Sequence, residues 1–289
     1  MLGSPIGHSL SPVLHRAAYA ALGLDGWVYD AYDVTADRLA GFLAELDPPE
    51  PPEPPWAGLS LTMPLKAAVL PLLDGASPLV EAVGAANTVL LRDGRRLGEN
   101  TDVPGMVAAL ESAGVAGPGA VRSAAVLGGG ATARSALAAL AALTDDVTAY
   151  VRTPARAEAL AATAEAVGLR LAVRPWSAAA EGLAAPLVVN TTTAGAADAL
   201  VTAVPRSVGT LFEVLYDPWP TPLAAAWAAR RATVVDGLEL LVRQAVLQVG
   251  LMTGADIEAA DAEGAPGRPG VADLVALLRA TGERALRSA

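Results

Sequence analysis

Lys66 is the single lysine of the chain, because every other member of its 20 lysines and arginines is an arginine. A desolvated lysine can release its proton near neutral pH, which a guanidinium cannot do, so its retention points to proton transfer. Thr62 stands four residues before it, across Pro64, and Asn100-Thr101-Asp102 supplies a carboxylate ahead of Gly105. Ser9-Leu10-Ser11-Pro12 sets two hydroxyls at a helix start, an arrangement suited to a carboxylate ligand. Each feature also has a plain reading. Lys66 could be a solvated helix-start cation, Ser11 a helix cap, and Asn87-Thr88 and Asn100 turn residues. Gln244 and Gln248, at i and i+4, could be surface residues, and Tyr216 a core aromatic with its hydroxyl at the edge. With no cysteine, thiolate nucleophiles, disulfides and cysteine-bound metals are excluded. Two histidines, His8 and His15, separated by Pro12, argue against a histidine-built zinc site, so no metal is expected.

The glycine turn is the second chemical feature. Gly128-Gly129-Gly130-Ala131-Thr132-Ala133 follows a short apolar strand and opens a helix, the setting in which bare backbone approaches a pyrophosphate at a helix N-terminus. The strand that follows ends in Arg152-Thr153-Pro154-Ala155-Arg156 rather than in an acidic residue. A carboxylate there would hold a ribose 2′-hydroxyl, whereas two guanidiniums and a hydroxyl suit a 2′-phosphate. Cations near a helix N-terminus oppose its dipole and need another reason to be there. NADP is therefore favoured over NAD.

The elements that position these residues follow from periodicity. The spacing predicts a helix from Ser11-Pro12, a strand over Val28–Val34, a helix over Ala36–Leu46, a stiff connector at Pro48–Pro55, a strand at Gly58–Thr62 and a helix from Lys66. Ala85–Leu91 and Arg95–Gly98 form a strand pair around Asp93-Gly94. From Ala124 onward strands and helices alternate, which implies a parallel sheet with right-handed crossovers. Strands are expected at Ala124–Leu127, Val147–Val151, Leu169–Val173, Leu187–Val189, Thr210–Leu215 and Ala232–Val235. Helices are expected at Ala133–Leu143, Pro154–Val167 and Thr221–Arg231. Gly237–Met252 and Gly270–Ser288 read as two further helices with a loop at Gly254–Pro269 between them.

Composition bounds the partners. The chain has 289 residues, 53% hydrophobic and 17% charged, yet no apolar run of membrane-spanning length. A net charge of −10 argues against nucleic acid or an anionic membrane as partner. The opening residues lack a secretory pattern, so a soluble cytoplasmic protein is expected.

Taken in order, the motifs resemble the shikimate dehydrogenase family. The matches run through Ser9-Leu10-Ser11-Pro12, Thr62-Met63-Pro64-Leu65-Lys66, Gly84-Ala85-Ala86-Asn87-Thr88 and Gly98-Glu99-Asn100-Thr101-Asp102. They continue through the glycine turn, Arg152-Thr153, Asn190-Thr191-Thr192, Tyr216 with Thr221-Pro222-Leu223, and Gly237 with Gln244-Ala245. The resemblance implies an α/β protein of two domains with a cleft between them. One is an α/β substrate domain, residues 1–103 with returning helices at 237–289. The other, 104–236, is a Rossmann-type parallel-sheet domain for NADP. The implied reaction is the reversible, NADPH-dependent reduction of 3-dehydroshikimate to shikimate in aromatic amino-acid (chorismate) biosynthesis, by a monomer or homodimer. Lys66 and Asp102 would be catalytic. Ser9, Ser11 and Tyr216 would hold the substrate carboxylate, and Thr62, Asn87 and Gln244 the ring oxygens. Gly128, Gly129, Gly130, Ala131, Thr132, Arg152, Thr153, Arg156, Thr191, Val214 and Gly237 would bind the cofactor.

Ser60-Leu61-Thr62 stands where the family has Asn-Val-Thr, so an amide is shortened to a hydroxyl. Val151 replaces the Asn before Arg-Thr, and the family's acidic residue before the tyrosine is Glu213. The family has a β-strand ahead of its Gly-x-Pro segment, while this chain opens at Met1-Leu2-Gly3, so an upstream or trimmed start that leaves an edge strand missing is expected. Three alternatives compete: a catabolic quinate/shikimate dehydrogenase, a non-catalytic NADP or ring-acid sensor, and a folate-linked dehydrogenase. Arg152 with the Ser9/Ser11 pair disfavours the first, Lys66 with Asp102 the second, and the unexplained Ser9/Ser11 pair the third.

Overall fold

The structure, a computed structural model, describes residues 1–46, 55–257 and 269–288. The expected connector (apart from Pro55) and residues 258–268 of the expected loop lie outside these residues. The chain divides into two compact units: Met1–Glu81 with Ala85–Thr101 and Leu241–Ala289, and Ala82–Gly84 with Asp102–Leu240.

The first unit is built on short strands. β1 (Leu2–Gly3) pairs in parallel with β2 (Tyr32–Asp33), and Leu2 also bridges to Leu61. Leu2 therefore has a neighbour on each side, Tyr32 and Leu61, and a two-residue strand stands where a missing strand is expected. The strand predicted over Val28–Val34 shrinks to Tyr32–Asp33 because β1 offers only two residues to pair with. Four further strands form a sheet in the order β3 (Gly58–Ser60), β5 (Thr88–Arg92), β6 (Arg95–Glu99), β4 (Gly75–Ala76). Asp93 and Gly94 both take positive φ, 52° and 69°, as a two-residue hairpin turn matched to strand twist requires. α1 (Ser11–Ala21), α2 (Leu39–Glu45), α3 (Leu65–Ala68) and α4 (Pro78–Val83) connect these strands. The helix expected from Lys66 is one turn long, because Pro71 lies in the tight 3-10 turn Leu70–Leu72 that follows. Leu2, Leu39, Leu43, Leu59, Leu65 and Val89 centre the core.

The second unit has one six-stranded parallel sheet. Its order is β12 (Val234–Val235), β11 (Thr210–Glu213), β10 (Leu187–Asn190), β7 (Ala124–Leu127), β8 (Asp146–Val151), β9 (Arg170–Pro175). β7 lies at the reversal of strand order, where parallel sheets bind ligands beyond the strand ends. β7 and β10 are buried along their whole length, as strands covered on both faces must be. The helices are α5 (Asp102–Ser112), α6 (Ala131–Leu140), α7 (Ala155–Ala166), α8 (Ala179–Gly182) and α9 (Pro222–Ala228). Trp227 is fully buried on α9, and its indole N–H donates to the Gly209 carbonyl. α10 (Gly237–Thr253) follows β12, and α11 (Val271–Ser288) packs on α1. No described helix is long and apolar enough to cross a membrane.

Candidate active site

In the first unit the polar residues converge at the start of β5. The Leu61 amide donates to the Asn87 carbonyl at 2.7 Å, the Asn87 amide to the Glu99 carbonyl at 3.1 Å, and the Ala86 amide to the Lys66 carbonyl at 2.8 Å. These backbone bonds fasten Asn87 between β3 and β6 and set Lys66 beside it in the fold. Gly3 permits close approach of the next strand, since a Cβ there would lie 2.3 Å from Thr62 Cγ2. Thr62 in turn donates its N–H to the Leu2 carbonyl.

Asn87 is buried, and its amide is used on both sides. Oδ1 accepts from Thr101 N–H at 2.8 Å and from the Thr88 hydroxyl at 2.9 Å. Nδ2 donates to Thr101 Oγ1 at 2.8 Å and to Gln244 Oε1 at 3.4 Å. Gln248, one turn beyond Gln244 on α10, donates from Nε2 to the Asn87 carbonyl at 3.1 Å and to Thr88 Oγ1 at 2.8 Å. Its Oε1 accepts from Ser60 Oγ at 2.8 Å, and Ser60 accepts from the Tyr29 phenol at 2.6 Å. Ser11 is buried at the first position of α1, and the half-buried Ser9 accepts its backbone N–H at 3.3 Å. The imidazole of His15 is fully buried and stacks on Tyr29 with ring centroids 3.9 Å apart. Burial pushes its pKa down to about 3, reinforced by the Met1 ammonium and opposed by the Gln248 amide. Burial likewise raises the Tyr29 pKa, against the pull of the Ser60 and Ser11 hydroxyls.

In the second unit the glycine turn is a bare cradle. Gly128 sits at φ +116°, and a Cβ there would lie 2.5 Å from Thr191 Oγ1; at Gly129 it would lie 2.9 Å from both Arg156 Cβ and Val151 Cγ1. Gly130 caps α6, and Ala131 and Thr132 form its first turn, so free N–H groups point out of the strand end. Arg152, Thr153 and Arg156 are exposed beyond β8, with Arg156 Nη1 reaching the Gly129 carbonyl at 3.5 Å. Nearby, Thr191 donates to the Leu127 carbonyl at 2.9 Å. Glu213 ends β11 fully buried. Its carboxylate accepts from Asn190 Nδ2 at 3.1 and 2.9 Å, from the Thr221 hydroxyl at 3.0 Å and from Leu215 N–H at 3.4 Å. Burial raises its pKa, while these hydrogen bonds lower it and the Asp198 charge adds to the rise. This clasp shapes the turn carrying Val214, against which Gly237 packs so closely that a Cβ would lie 2.2 Å from the Val214 carbonyl oxygen. The residues present fit a dinucleotide.

Residues 1–89 match the family model described as the shikimate dehydrogenase substrate binding domain. Shikimate dehydrogenase (NADP(+)) of Thermus thermophilus is 38% identical over 258 residues, covering 88% of this chain and 91% of that protein. The chain belongs to the shikimate dehydrogenase family. Among solved structures, Mycobacterium tuberculosis shikimate dehydrogenase superposes with a TM-score of 0.80 at 34% identity, covering 96% of this chain and 97% of that one. The Thermus thermophilus shikimate 5-dehydrogenase, in complex with NADP(H) and shikimate, gives 0.75 at 35% identity with 97% of each chain covered.

For this shikimate dehydrogenase family member the structure gathers Asn87, Thr101 and Gln244 into one cluster, with Lys66 joined to it through Ala86. Asp102 is buried at the start of α5 in the second unit, where Tyr216 lies half-buried after β11. Gln244 and Gln248 are both buried, which overturns their reading as surface residues. The Ser11 side chain makes no cap on α1. Sequence reasoning passed over Arg134. It stands in the first turn of α6, donates to the Gly84 carbonyl at 2.9 Å, and is shifted to lower pKa by burial and by Arg156. The dipole argument applied to Arg152 and Arg156 would have singled it out as well.

Proposed function

We propose that the protein is an NADP-dependent shikimate dehydrogenase that reversibly reduces 3-dehydroshikimate to shikimate in aromatic amino-acid biosynthesis. The observation that carries this reading is the single lysine fastened next to the buried Asn87–Thr101–Gln244 cluster, in a unit that opens with the family's substrate-binding segment. Residues 1–103 with 237–289 serve as the substrate domain and 104–236 as the NADP domain. NADPH supplies a hydride to the carbonyl carbon when bound. Negative charge then grows on the carbonyl oxygen, and Lys66 provides both the cation and the proton that neutralise it. In the oxidising direction the same amine takes the alcohol proton. Asp102 orients the ammonium and a ring hydroxyl. Ser9, Ser11 and Tyr216 hold the carboxylate, and Thr62, Asn87 and Gln244 the ring oxygens. Gly128 to Thr132 cradle the diphosphate and Arg152, Thr153 and Arg156 the 2′-phosphate. Thr191, Val214 and Gly237 complete the cofactor site. Our reading is of a cytoplasmic monomer or homodimer.

Oxidation of shikimate and quinate by the purified protein, with NADP⁺ and NAD⁺ in parallel, tests this. Shikimate with NADP⁺ is the expected best pair. Absence of turnover with that pair refutes the proposal.

A further inference from the structure

Gln248 has no assigned role, yet its side chain makes three buried hydrogen bonds, to Ser60, Thr88 and the Asn87 carbonyl. Its orientation can be deduced rather than assumed. The Asn87 main-chain carbonyl only accepts, so the Gln248 atom 3.1 Å away must be the amide nitrogen. Oε1 is then the atom facing Ser60, and Ser60 must donate to it. With its proton so committed, Ser60 accepts from the Tyr29 phenol, whose ring is held by the stacked His15. At the other end, Thr88 accepts from Gln248 and passes its own proton to Asn87 Oδ1. Thr101 N–H reaches the same oxygen from the β6 side. Every bond in the series Tyr29, Ser60, Gln248, Thr88, Asn87 points the same way, and aligned bonds of this kind strengthen one another in a dry interior. The series passes through Ser60, the position where the family has an asparagine.

We propose that Gln248, oriented by the Tyr29–Ser60 hydroxyl pair, is a positioning residue for substrate binding. It clamps α10 to β5 at Asn87, fixes the separation of the Asn87 and Gln244 amides, and leaves Asn87 facing the substrate as an N–H donor. The inference rests on the proposed function only for the identity of the substrate. A flipped Gln248 would set its oxygen against the Asn87 carbonyl, so removing the Ser60 donor or the Gln248 amide releases the clamp. The consequence belongs to the Asn87–Gln244 pair and not to the cofactor turn.

Two measurements test the clamp on the full chain with Ser60→Ala and Gln248→Met. Hydrogen exchange of the Asn87 side-chain N–H protons, followed by NMR on ¹⁵N-labelled protein, is expected to quicken at least about tenfold in either variant. Exchange of the β7 and β10 backbone should stay as in the wild type. Steady-state kinetics should show the KM for shikimate rising about three- to tenfold, with kcat and the KM for NADP⁺ within about twofold. In an Asn87→Ala background, Gln248→Met should add less than about twofold. Unchanged Asn87 exchange, a parallel rise in the NADP⁺ KM, or full additivity with Asn87→Ala overturns the proposal. Ser60→Ala removes a single oxygen and carries the test if Gln248→Met does not fold. If the wild type fails to oxidise shikimate, the functional reading falls, while the exchange measurement still decides the clamp.

Discussion

Asn87 Nδ2 lies 3.4 Å from Gln244 Oε1, the longest bond in a cluster whose other members run from 2.6 to 3.1 Å. The two side chains are 157 positions apart in sequence, and under the proposed function both hold ring oxygens of the substrate. A long, weak bond between two substrate-facing amides is the one a ring hydroxyl can replace most cheaply. Gln244→Ala should therefore raise the KM for shikimate about tenfold, in line with a lost hydrogen bond of roughly 1–1.5 kcal/mol. The KM for NADP⁺ should not follow. Steady-state kinetics with each substrate varied in turn would check this, and an equal rise in both KM values would assign Gln244 to general stability.

The proposed function places Lys66 in the chemical step rather than in binding alone. Loss of a positioned proton donor typically lowers a rate by roughly 10² to 10⁴, so Lys66→Ala should depress kcat by about that factor. The KM for shikimate should change much less. Lys66→Arg should fail to restore turnover, because a guanidinium keeps its proton at neutral pH. Equal loss of kcat and binding in Lys66→Ala, with recovery in Lys66→Arg, would make the residue a binding cation only.

Much of the second unit is legible in the sequence. Ala124–Leu127 and Leu187–Val189 are continuous apolar runs, and such runs are what doubly covered parallel strands look like. The first unit is harder to read. Its strands are only two to five residues long, too short for alternation to register, so the pattern overextends Tyr32–Asp33. Lys66, Asn87 and Gln244 can be picked out by type, but not the hydroxyl chain behind them. Tyr29, Ser60 and Thr88 each read locally as strand or turn residues, and Tyr29 and Ser60 meet Gln248 only through contacts spanning far-apart segments. Glu213 stands out in the sequence only as an acidic residue near Tyr216, because its clasp on Asn190 and Thr221 needs the strand register of β10 and β11.

The proposed function rests cofactor choice on the exposed guanidiniums beyond β8. Hydrogen bonds to charged groups contribute roughly 1.5–3 kcal/mol, so Arg152→Ala should raise the KM for NADP⁺ about ten- to a hundredfold. Activity with NAD⁺ should stay near its starting level, since NAD⁺ lacks the 2′-phosphate. Arg152→Asp should go further and favour NAD⁺ outright, by repelling the phosphate and offering a carboxylate to a ribose hydroxyl. Parallel titrations with the two cofactors measure the ratio, and a ratio unmoved by either substitution would place 2′-phosphate recognition elsewhere.

His15 links stability to pH chiefly through burial. Its ring is fully buried against Tyr29 and near Tyr19, and neither nitrogen meets hydrogen-bond geometry with a described residue. The folded-state pKa of about 3 lies below the ordinary histidine value of 6.5. Between those values the unfolded chain binds a proton that the folded chain refuses, so stability from this residue is complete above about pH 6.5. It is lost progressively as pH falls toward about 3, at up to about 1.4 kcal/mol per pH unit. Acidic residues also titrate in this range, but they do so in variant and wild type alike and cancel in the comparison. His15→Phe keeps the stacking on Tyr29 and removes the proton site, and His15→Gln removes it at smaller volume. Urea unfolding at intervals from about pH 7 to about pH 4 should show wild-type stability falling more steeply than either variant's, by roughly 1 kcal/mol per unit below about pH 6. Parallel curves would mean that the imidazole takes up a proton in the folded state, and that the pocket around Tyr29 opens to admit it.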